Sequence, residues 1–333
     1  MSTVTVSLEE IESISRQALV NHGANNWIAQ SVAAAVREAE ANGNLICGLY
    51  YLESYCKQLS SGRVNGSIDP IVSKPKTACV AVDAGFGFAQ PAFERGLPVA
   101  LETLKETGTC SLSICHSHTC TSLGYFTEQI AQAGMIGIGF TNASAVVSPP
   151  GGNKAVIGTN PIAMSIPAKI GGVAFQLDQS TSAVALGKIT MAAAAGESIP
   201  LGWAVDADGK PTTDAKEALA GSLVSTGGYK GFGFGLMAEV LAAAVTGSVN
   251  SLDVKGLKLP EGAPHDLGQF YFLMDPTAVS GDTFWQRLER ISDAVNEQPE
   301  ARLPGSQRVE RNSVIISEGV WAQALALAHS PIS

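Results

Sequence analysis

The stretch from Ala133 to Pro167, AGMIGIGFTNASAVVSPPGGNKAVIGTNPIAMSIP, carries the pattern that decides the fold class. Its residues Ile136 to Thr141 form a short apolar run of the kind found in buried strands. The segment AVIGTNPIAMSIP that follows Pro149 is punctuated by glycine and proline, which is typical of short strands joined by turns. A helical pattern from Thr127 to Ala133 precedes the first strand. We therefore predict a sheet domain with helices between some of its strands.

The segments on either side continue this alternation. Upstream, Ala78 to Val82 and Ser111 to Cys115 read as strands, with a helix from Gln90 to Thr107 between them. Downstream, the apolar helical run from Gly231 to Thr246 is followed by a strand-like segment from Gln269 to Met274. The sequence thus predicts an α/β protein.

Helical patterns stand at both ends of the chain. The N-terminal part opens with a capping box at Ser7 to Glu10 and contains a second helix from Asn26 to Ala41. The tail from Asp282 onward is largely helical again. We predict that residues 1–75 and 281–333 pack together as a helical domain, and that residues 76–280 form the sheet domain with a small α/β subdomain.

Composition excludes several classes of protein. The chain has 333 residues, 45% of them apolar, and a mean hydropathy of +0.17, which fits a globular protein with a sizeable core. Its net charge is -9, from 30 acidic against 21 basic residues, so we expect no nucleic-acid partner. The N-terminus resembles no targeting signal, and no apolar run has the length of a membrane span. We expect a protein without a membrane partner.

The cysteines point to a reducing compartment. Six are present, at positions 47, 56, 79, 110, 115 and 120, without the paired short spacings of a zinc site or a disulfide scaffold. We interpret them as reduced thiols in a cytoplasmic protein.

Common nucleotide and catalytic motifs are missing. A Rossmann fingerprint requires glycines between a strand and a helix, followed by an acidic residue about 20 positions later. Neither Gly85-Phe86-Gly87 nor KGFGFG (Lys230 to Gly235) supplies the full pattern. The chain also has no Walker loop, HExxH or GxSxG motif. Any nucleotide site should therefore be of a non-Rossmann type.

Two short segments carry candidate chemistry. In ICHSHTC (Ile114 to Cys120), His116 and His118 are two positions apart at a strand end, which places them on one side of the pleat. They are interpreted either as polar groups facing a cleft or, with Cys120 or a distant acid, as metal ligands; we expect no metal. In GNLICGLYYL (Gly43 to Leu52), Cys47 is interpreted as a buried inert thiol, a nucleophile, or a replacement for a catalytic residue.

Three longer stretches closely resemble the malate/L-lactate dehydrogenase type 2 family. They are Ala133 to Pro167 as quoted above, LDQSTSAVALGKITMAAAAGESIPLGWAVDADGKPTTD (Leu177 to Asp214) and GGYKGFGFGLMAEVLAAAVTG (Gly227 to Gly247). VDAGFGFAQPA (Val82 to Ala92) and RLPG (Arg302 to Gly305) look most like the family's cyclic-imine reductases, which act on Δ1-piperideine-2-carboxylate and Δ1-pyrroline-2-carboxylate. The family also includes malate, sulfolactate, ureidoglycolate and diketogulonate oxidoreductases.

The resemblance implies NADPH or NADH bound by a non-Rossmann, mostly antiparallel sheet, in a homodimer whose active-site clefts involve both subunits. Glycines and hydroxyls let backbone amides approach phosphate oxygens, and lysines add charge. By position, the implied cofactor contacts are Gly158, Thr159, Asn160, Asp178, Gln179, Ser180, Thr181, Lys188, Tyr229, Lys230, Gly305, Ser306 and Gln307.

The chain departs from the family at its chemical positions. Family members usually carry Ser-His-Gly where this chain has Ile46-Cys47-Gly48, and an arginine where it has Tyr51. A second family histidine aligns with Thr119, and an acid partner position holds Lys188. Without the arginine, Lys154 or another cation must hold a substrate carboxylate, or the substrate lacks one there.

Loss of the family histidine bears on the type of substrate. Reducing a ketone requires an acid, which contributes about 10²–10⁴-fold in rate, whereas a protonated cyclic imine already carries its proton. We therefore favour reduction of a small 2-imino or 2-oxo carboxylate, leaning towards cyclic imines. The alternatives are a 2-hydroxy-acid dehydrogenase acting on malate-, lactate- or sulfolactate-like substrates and a catalytically silent nucleotide-binding homologue. Candidate catalytic residues, in order, are His118, His116, Tyr51 and Cys47, with Thr119 beside them.

Overall fold

The run Ile136–Thr141 is an inner strand of a seven-stranded sheet. The computed structural model describes residues 2–306 and 311–329. The strands within these ranges are β1 Thr3–Ser7, β2 Ile71–Lys76, β3 Cys79–Asp83, β4 Thr109–Ser117, β5 Ile136–Thr141, β6 Ile162–Pro167, β7 Val173–Gln179, β8 Ala204–Val205, β9 Pro211–Thr212, β10 Ser222–Leu223, β11 Leu267–Met274 and β12 Ser313–Ser317.

The helices are numbered in the same way. They are α1 Leu8–Asn21, α2 Asn26–Ala41, α3 Leu49–Ser60, α4 Ala89–Thr107, α5 Gly124–Gln132, α6 Leu186–Ala195, α7 Ala215–Ala220, α8 Tyr229–Glu239, α9 Thr283–Asn296 and α10 Glu318–His329. None of the helices in the described ranges combines the length and apolarity needed to cross a membrane.

The large sheet is mostly antiparallel. Its strand order is β2-β3-β4-β11-β5-β6-β7, and only β3 and β4 run parallel. Helices α4 and α5 cover one face, where Phe93 packs edge to face against Phe126 and Tyr271 among buried aliphatic side chains. The predicted non-Rossmann, mostly antiparallel fold class is therefore confirmed.

The two ends of the chain meet in one structural unit. Strand β1 pairs antiparallel with β12, and α10 packs with α1 and α3 around a shared apolar core. The capping box forms as predicted, because Ser7 Oγ accepts from Glu10 N and the Glu10 carboxylate accepts from Ser7 N. These contacts support a helical domain built from residues 1–75 and 281–333. The limits of this domain stay a proposal, because β2, at Ile71–Lys76, belongs to the large sheet.

A smaller unit lies between β7 and α8. Strands β8, β9 and β10 form a three-stranded sheet that packs with α6 and α7. Its strands have only two residues each, which is too short for an alternating pattern to be recognised in the sequence. This unit supports the proposed small subdomain. The helix predicted for Gly231 to Thr246 begins earlier, at Tyr229, and becomes a π-helical turn after Glu239.

Candidate active site

Cys47 lies in a short 3₁₀ turn that leads into α3. The carboxyl group of Glu40, on α2, accepts a hydrogen bond of 2.7 Å from Leu49 N, the first residue of α3. A Cβ atom at Gly48 would overlap this carboxyl group, so a larger residue here would displace the Glu40 side chain. The position of Cys47 is thereby fixed relative to both helices.

Burial and charge keep Cys47 a thiol. Burial, together with the negative charge of Asp178, raises the pKa of Cys47 to about 12, and Lys258 acts in the opposite direction. Asp178 is the second-last residue of β7, and its carboxylate accepts hydrogen bonds from Gly124 N at 2.7 Å and Ser122 Oγ at 3.3 Å. A thiol with such a pKa is a poor nucleophile near neutral pH.

Tyr51 is buried in the first turn of α3 and is hydrogen-bonded to a loop that is distant in sequence. Its hydroxyl donates a hydrogen bond of 3.2 Å to Leu257 O, and its ring centroid lies 5.3 Å from the Lys258 ammonium. Burial raises the pKa of Tyr51, so its hydroxyl stays protonated. The phenol hydrogen is thus shared with a backbone carbonyl.

His118 is fully enclosed behind α3. Its Nε2 lies 2.6 Å from Gln58 Oε1, and Gln58 Nε2 donates to the carbonyls of Leu257 and Leu259 at 2.8 and 2.7 Å. Because the amide NH₂ of Gln58 is used on the carbonyls, its oxygen must accept, and His118 Nε2 must carry the proton. His118 Nδ1 is buried and has no hydrogen-bond partner in the described part of the chain.

A second buried histidine, His265, stacks on His118 with ring centroids 3.9 Å apart. Its Nδ1 accepts a hydrogen bond of 3.3 Å from the backbone N–H of Thr119. Burial lowers the pKa of His118 well below its usual value, with a contribution from His265, and burial lowers the pKa of His265 to about 3. Sequence reasoning did not single out His265, which lies in a loop without periodicity.

These two histidines should make the protein sensitive to acid. Both have folded-state pKa values below the unfolded value of 6.5, so their stabilising effect is present above pH 6.5 and is lost as the pH falls. At pH 5 the unfolded chain binds both protons and the folded chain binds neither, which costs about 2 kcal/mol per histidine. Urea unfolding between pH 7 and 5 measures this loss.

One variant tests the contribution of the buried histidine pair. His265→Gln should remove about half of the pH dependence. If the free energy of unfolding changes equally with pH in His265→Gln and in the parent protein, the buried histidines are not the cause of the acid sensitivity.

His116 belongs to a different network from His118. Its backbone has φ +49°, which ends the regular strand alternation, and its Nδ1 lies 3.0 Å from Asp83 Oδ1. Cys115 Sγ is 3.6 Å from the same nitrogen, so possible ligand atoms of Asp83, Cys115 and His116 lie within 4.8 Å of one another. Asp83 Oδ1 also accepts from Gly85 N at 2.9 Å. The two histidines therefore have separate hydrogen-bond partners, and the positive φ of His116 interrupts the regular alternation on which the expectation of a shared cleft was based.

The turn Gly158-Thr159-Asn160 is fixed by the buried carboxyl group of Glu239. Asn160 has φ +33°, a conformation that asparagine tolerates, and its Nδ2 donates to Glu239 Oε2 at 2.8 Å. Glu239 Oε1 accepts from Ser251 N at 2.7 Å, and Ser251 Oγ in turn accepts from Gly158 N at 3.0 Å. Sequence reasoning did not identify Glu239 or Ser251.

Thr181 and the end of β7 lie against this turn. Thr181 Oγ1 donates to the carbonyls of Thr159 and Asn160 at 3.1 and 3.2 Å, and β7 places Asp178 opposite Ala163 of β6. The predicted cofactor residues Gly158, Thr159, Asn160, Asp178, Gln179, Ser180 and Thr181 therefore meet along one edge of the sheet.

A polar cavity of about 470 Å³ opens beside the end of β7. Gly305 and Ser306 line it, and Gln176 N donates a hydrogen bond of 3.0 Å to Pro304 O, which fixes their turn against β7. The other lining residues include Asn42, Asp178, Gln179, Arg302 and Arg311. Guanidinium groups match phosphate oxygens in shape and charge, and the volume suits a large ligand, so these residues fit a dinucleotide.

This cavity adjoins a smaller one near Cys47. Both are lined by Asn42 and Asp178, and the smaller cavity, of about 150 Å³, also includes Asn44 and Ser122. Asn44 O accepts a hydrogen bond of 2.9 Å from Cys47 N. A ligand in the large cavity can therefore extend towards Cys47.

Three of the predicted cofactor residues are exposed, and a fourth lies outside the described residues. Tyr229 and Lys230 are exposed at the start of α8, and Lys188 is exposed on α6. Gln307 lies outside the described residues. For these positions the cofactor assignment stays a prediction.

Known proteins resemble this chain along most of its length. The profile of the malate/L-lactate dehydrogenase family matches residues 6–325. The (2R)-3-sulfolactate dehydrogenase (NADP(+)) of Chromohalobacter salexigens is 37% identical over 303 residues, which are 91% of this chain and 90% of that protein. The Delta(1)-pyrroline-2-carboxylate reductase 1 of Burkholderia ambifaria is 34% identical, over 96% of this chain and 94% of its own.

Solved structures agree with these matches. The Δ1-piperideine-2-carboxylate reductase of Pseudomonas syringae pvar. tomato superposes with a TM-score of 0.91 at 31% identity, covering 98% of this chain and 100% of that one. The sulfolactate dehydrogenase of Methanocaldococcus jannaschii gives 0.87 at 27% identity, covering 97% and 96%. The chain therefore belongs to the malate/L-lactate dehydrogenase family of oxidoreductases.

Proposed function

We propose that this chain is an NAD(P)H-dependent reductase of small 2-imino or 2-oxo carboxylates, with cyclic imines such as Δ1-pyrroline-2-carboxylate and Δ1-piperideine-2-carboxylate as preferred substrates. Relatives named as reductases of these imines are 32–34% identical over nearly the whole chain, which supports the substrate class. NADPH or NADH, held by the β6–β7 edge and the Gly305–Ser306 turn, would supply the hydride.

The observation that carries the proposal is the state of the candidate proton donors. Cys47 has its pKa raised to about 12 by burial, and Tyr51 shares its hydrogen with Leu257 O. His118 donates to Gln58, and its other nitrogen is enclosed. None of these three groups can pass a proton readily to a developing alkoxide, which a ketone substrate requires. An iminium carbon accepts hydride and leaves a neutral amine, so it needs no such donor.

We assign His118 a positioning role. Through Gln58 it holds the backbone of Leu257 and Leu259, and it packs on His265. Thr119 contributes through its backbone N–H, which fixes His265. His116, with its own partner Asp83, stays a weaker candidate.

One relative favours an alternative within the same class. The similarity to a sulfolactate dehydrogenase supports oxidation of a 2-hydroxy acid such as malate, lactate or sulfolactate. In that reaction a base must accept the hydroxyl proton, and a bound water or a residue of a second subunit would have to do so.

A substrate screen combined with a cofactor titration tests the proposal. Cyclic imines, 2-oxo acids and 2-hydroxy acids are each offered with NADPH or NADH, or with the oxidised cofactors. We expect turnover of cyclic imines above all others. Activity confined to 2-oxo and 2-hydroxy acids would favour the dehydrogenase alternative, and tight cofactor binding without any turnover would indicate a catalytically silent homologue.

We also propose a homodimer. Phe234, Met237, Val240 and Val245, in α8, the π turn and the residue after it, are between 40 and 56% exposed, and α9 has no buried residue within the protomer. Apolar faces of this kind mark protein interfaces, and a second copy would cover them and bring further groups to the cleft. Sedimentation equilibrium, compared with the chain mass of 34.4 kDa, tests this.

We place the protein in the cytoplasm. Its six cysteines are all free thiols, at positions 47, 56, 79, 110, 115 and 120. Free thiols persist in reducing compartments. Cell fractionation, followed by detection of the native protein in each fraction, tests the location.

A further inference from the structure

The position of the family arginine is occupied by Tyr51, which carries no charge. The structure brings a different cation to this place. The ammonium group of Lys258 lies 3.9 Å from the ring centroid of Tyr50 and 5.3 Å from that of Tyr51. A positive charge from a distant loop is thus placed beside the residue that replaces the arginine.

The loop that carries Lys258 is attached to α3 on both sides of the lysine. Leu257 O accepts hydrogen bonds from the Tyr51 hydroxyl and from Gln58 Nε2, at 3.2 and 2.8 Å. Leu259 O accepts from Gln58 Nε2 at 2.7 Å and from the guanidinium of Arg63. Because the residues before and after Lys258 are both held, its backbone position is well defined.

Arg63 is committed to backbone carbonyls, and Lys154 lies in another part of the fold. Arg63 is buried, and its Nε and Nη1 atoms donate to the carbonyls of Ala263 and Gly256 at 3.0 and 3.1 Å. Lys154 follows Asn153, whose Nδ2 donates to Ala207 O in the turn between β8 and β9, so it belongs to the small subdomain. Lys258, by contrast, is exposed, and its contact with the Tyr50 ring face leaves N–H groups able to donate.

The electrostatic balance of the site calls for such a cation. Asp178 raises the pKa of Cys47 and would repel an anionic substrate, whereas Lys258 lowers it and therefore acts on the same space. A carboxylate placed near Cys47 needs a positive partner to offset Asp178.

We propose that Lys258 binds the substrate carboxylate in place of the missing arginine, and that Tyr51 contributes by holding the loop from which Lys258 projects. This inference rests on the proposed function for the identity of the substrate. An ammonium group gives one point charge where a guanidinium gives a planar fork, so the carboxylate is held with less directional constraint.

Kinetics with two imines test the proposal. Lys258→Ala, Lys258→Arg and the control Lys255→Ala are compared with the parent protein, on Δ1-pyrroline-2-carboxylate and on 1-pyrroline, which lacks the carboxylate. Lys255 is an exposed lysine of the same loop, whose carbonyl accepts from Ser144. We expect Lys258→Ala to raise KM for the carboxylate at least about tenfold, with KM for 1-pyrroline unchanged. Lys258→Arg should stay within about threefold of the parent protein, and Lys255→Ala should match it.

A change below about threefold in Lys258→Ala, or equal changes for both imines, would overturn the proposal. If the parent protein reduces neither imine, the proposed function fails, and binding of pyrrole-2-carboxylate in the presence of NADPH then decides the role of Lys258. Loss of at least about tenfold in its affinity in Lys258→Ala supports the carboxylate site. Equal affinity in both proteins, or no binding to the parent protein, contradicts it.

Discussion

Cys47→His is expected to raise kcat/KM for a 2-oxo carboxylate at least about 100-fold while changing the rate of imine reduction by less than about threefold. The family resemblance implies a histidine at this position, and the turn that holds Cys47 packs against Glu40, so we expect the ring to enter the cleft shared with Asp178. An imidazolium protonates a developing alkoxide, which the thiol cannot do. Initial rates with both substrate types, from pH 5.5 to 8.5, measure the effect.

The control for this prediction is Cys47→Ser. A serine hydroxyl is a weaker acid than the original thiol, so it should give no gain in ketone reduction. The gain in Cys47→His should fall as the pH rises through the histidine pKa. If Cys47→His binds NADPH normally and reduces ketones no faster, the missing imidazole does not explain the substrate preference.

Glu239→Ala is expected to weaken NADPH binding about 100-fold and to lower the free energy of unfolding by about 3 kcal/mol. The Glu239 carboxyl group accepts from Asn160 Nδ2, Asn250 Nδ2 and Ser251 N, all at 2.7 to 3.1 Å, and is 5% exposed. Its removal leaves buried donors unpaired and releases the turn that carries Gly158 and Asn160. Fluorescence titration with NADPH and urea unfolding measure the two effects.

Glu217→Ala is the matched control. Glu217 also accepts a side-chain hydrogen bond, from Thr212 Oγ1 at 2.7 Å, but in the small subdomain. Its loss should lower stability by about 1 kcal/mol and leave NADPH affinity within about twofold. Normal NADPH affinity in Glu239→Ala would show that the Gly158 turn takes no part in cofactor binding.

The regular elements could be predicted from the sequence because their patterns are local. The helix at Asn26–Ala41 and the strand at Ile136–Thr141 have the predicted bounds, since helix periodicity and flanking turns define them. Strand β1 was missed because its pairing with β12 joins segments about 310 residues apart. The edge strand β2 was missed because its sequence IVSKPK has little apolar character.

The candidate site could be predicted only in part. The cofactor turn and the β7 residues follow from recognisable stretches, but the groups that hold them do not. Glu239 looks like a solvated helix residue and His265 like a loop residue, and each becomes buried only through contacts with distant segments. Lys258 likewise reaches Tyr51 only because Gln58 and Arg63 attach its loop to α3. Such contacts between distant segments cannot be inferred from local sequence patterns.

The central claim is that the substrate brings the proton which the protein no longer supplies. The most direct test is the ratio of kcat/KM for Δ1-pyrroline-2-carboxylate to that for an unbranched five-carbon 2-oxo acid, measured with NADPH in the unmodified protein. We predict a ratio of at least about 10³, because the ketone lacks an acid catalyst worth about 10²–10⁴-fold. A ratio near one, or a preference for the ketone, would show that an effective proton donor is present and would contradict the claim.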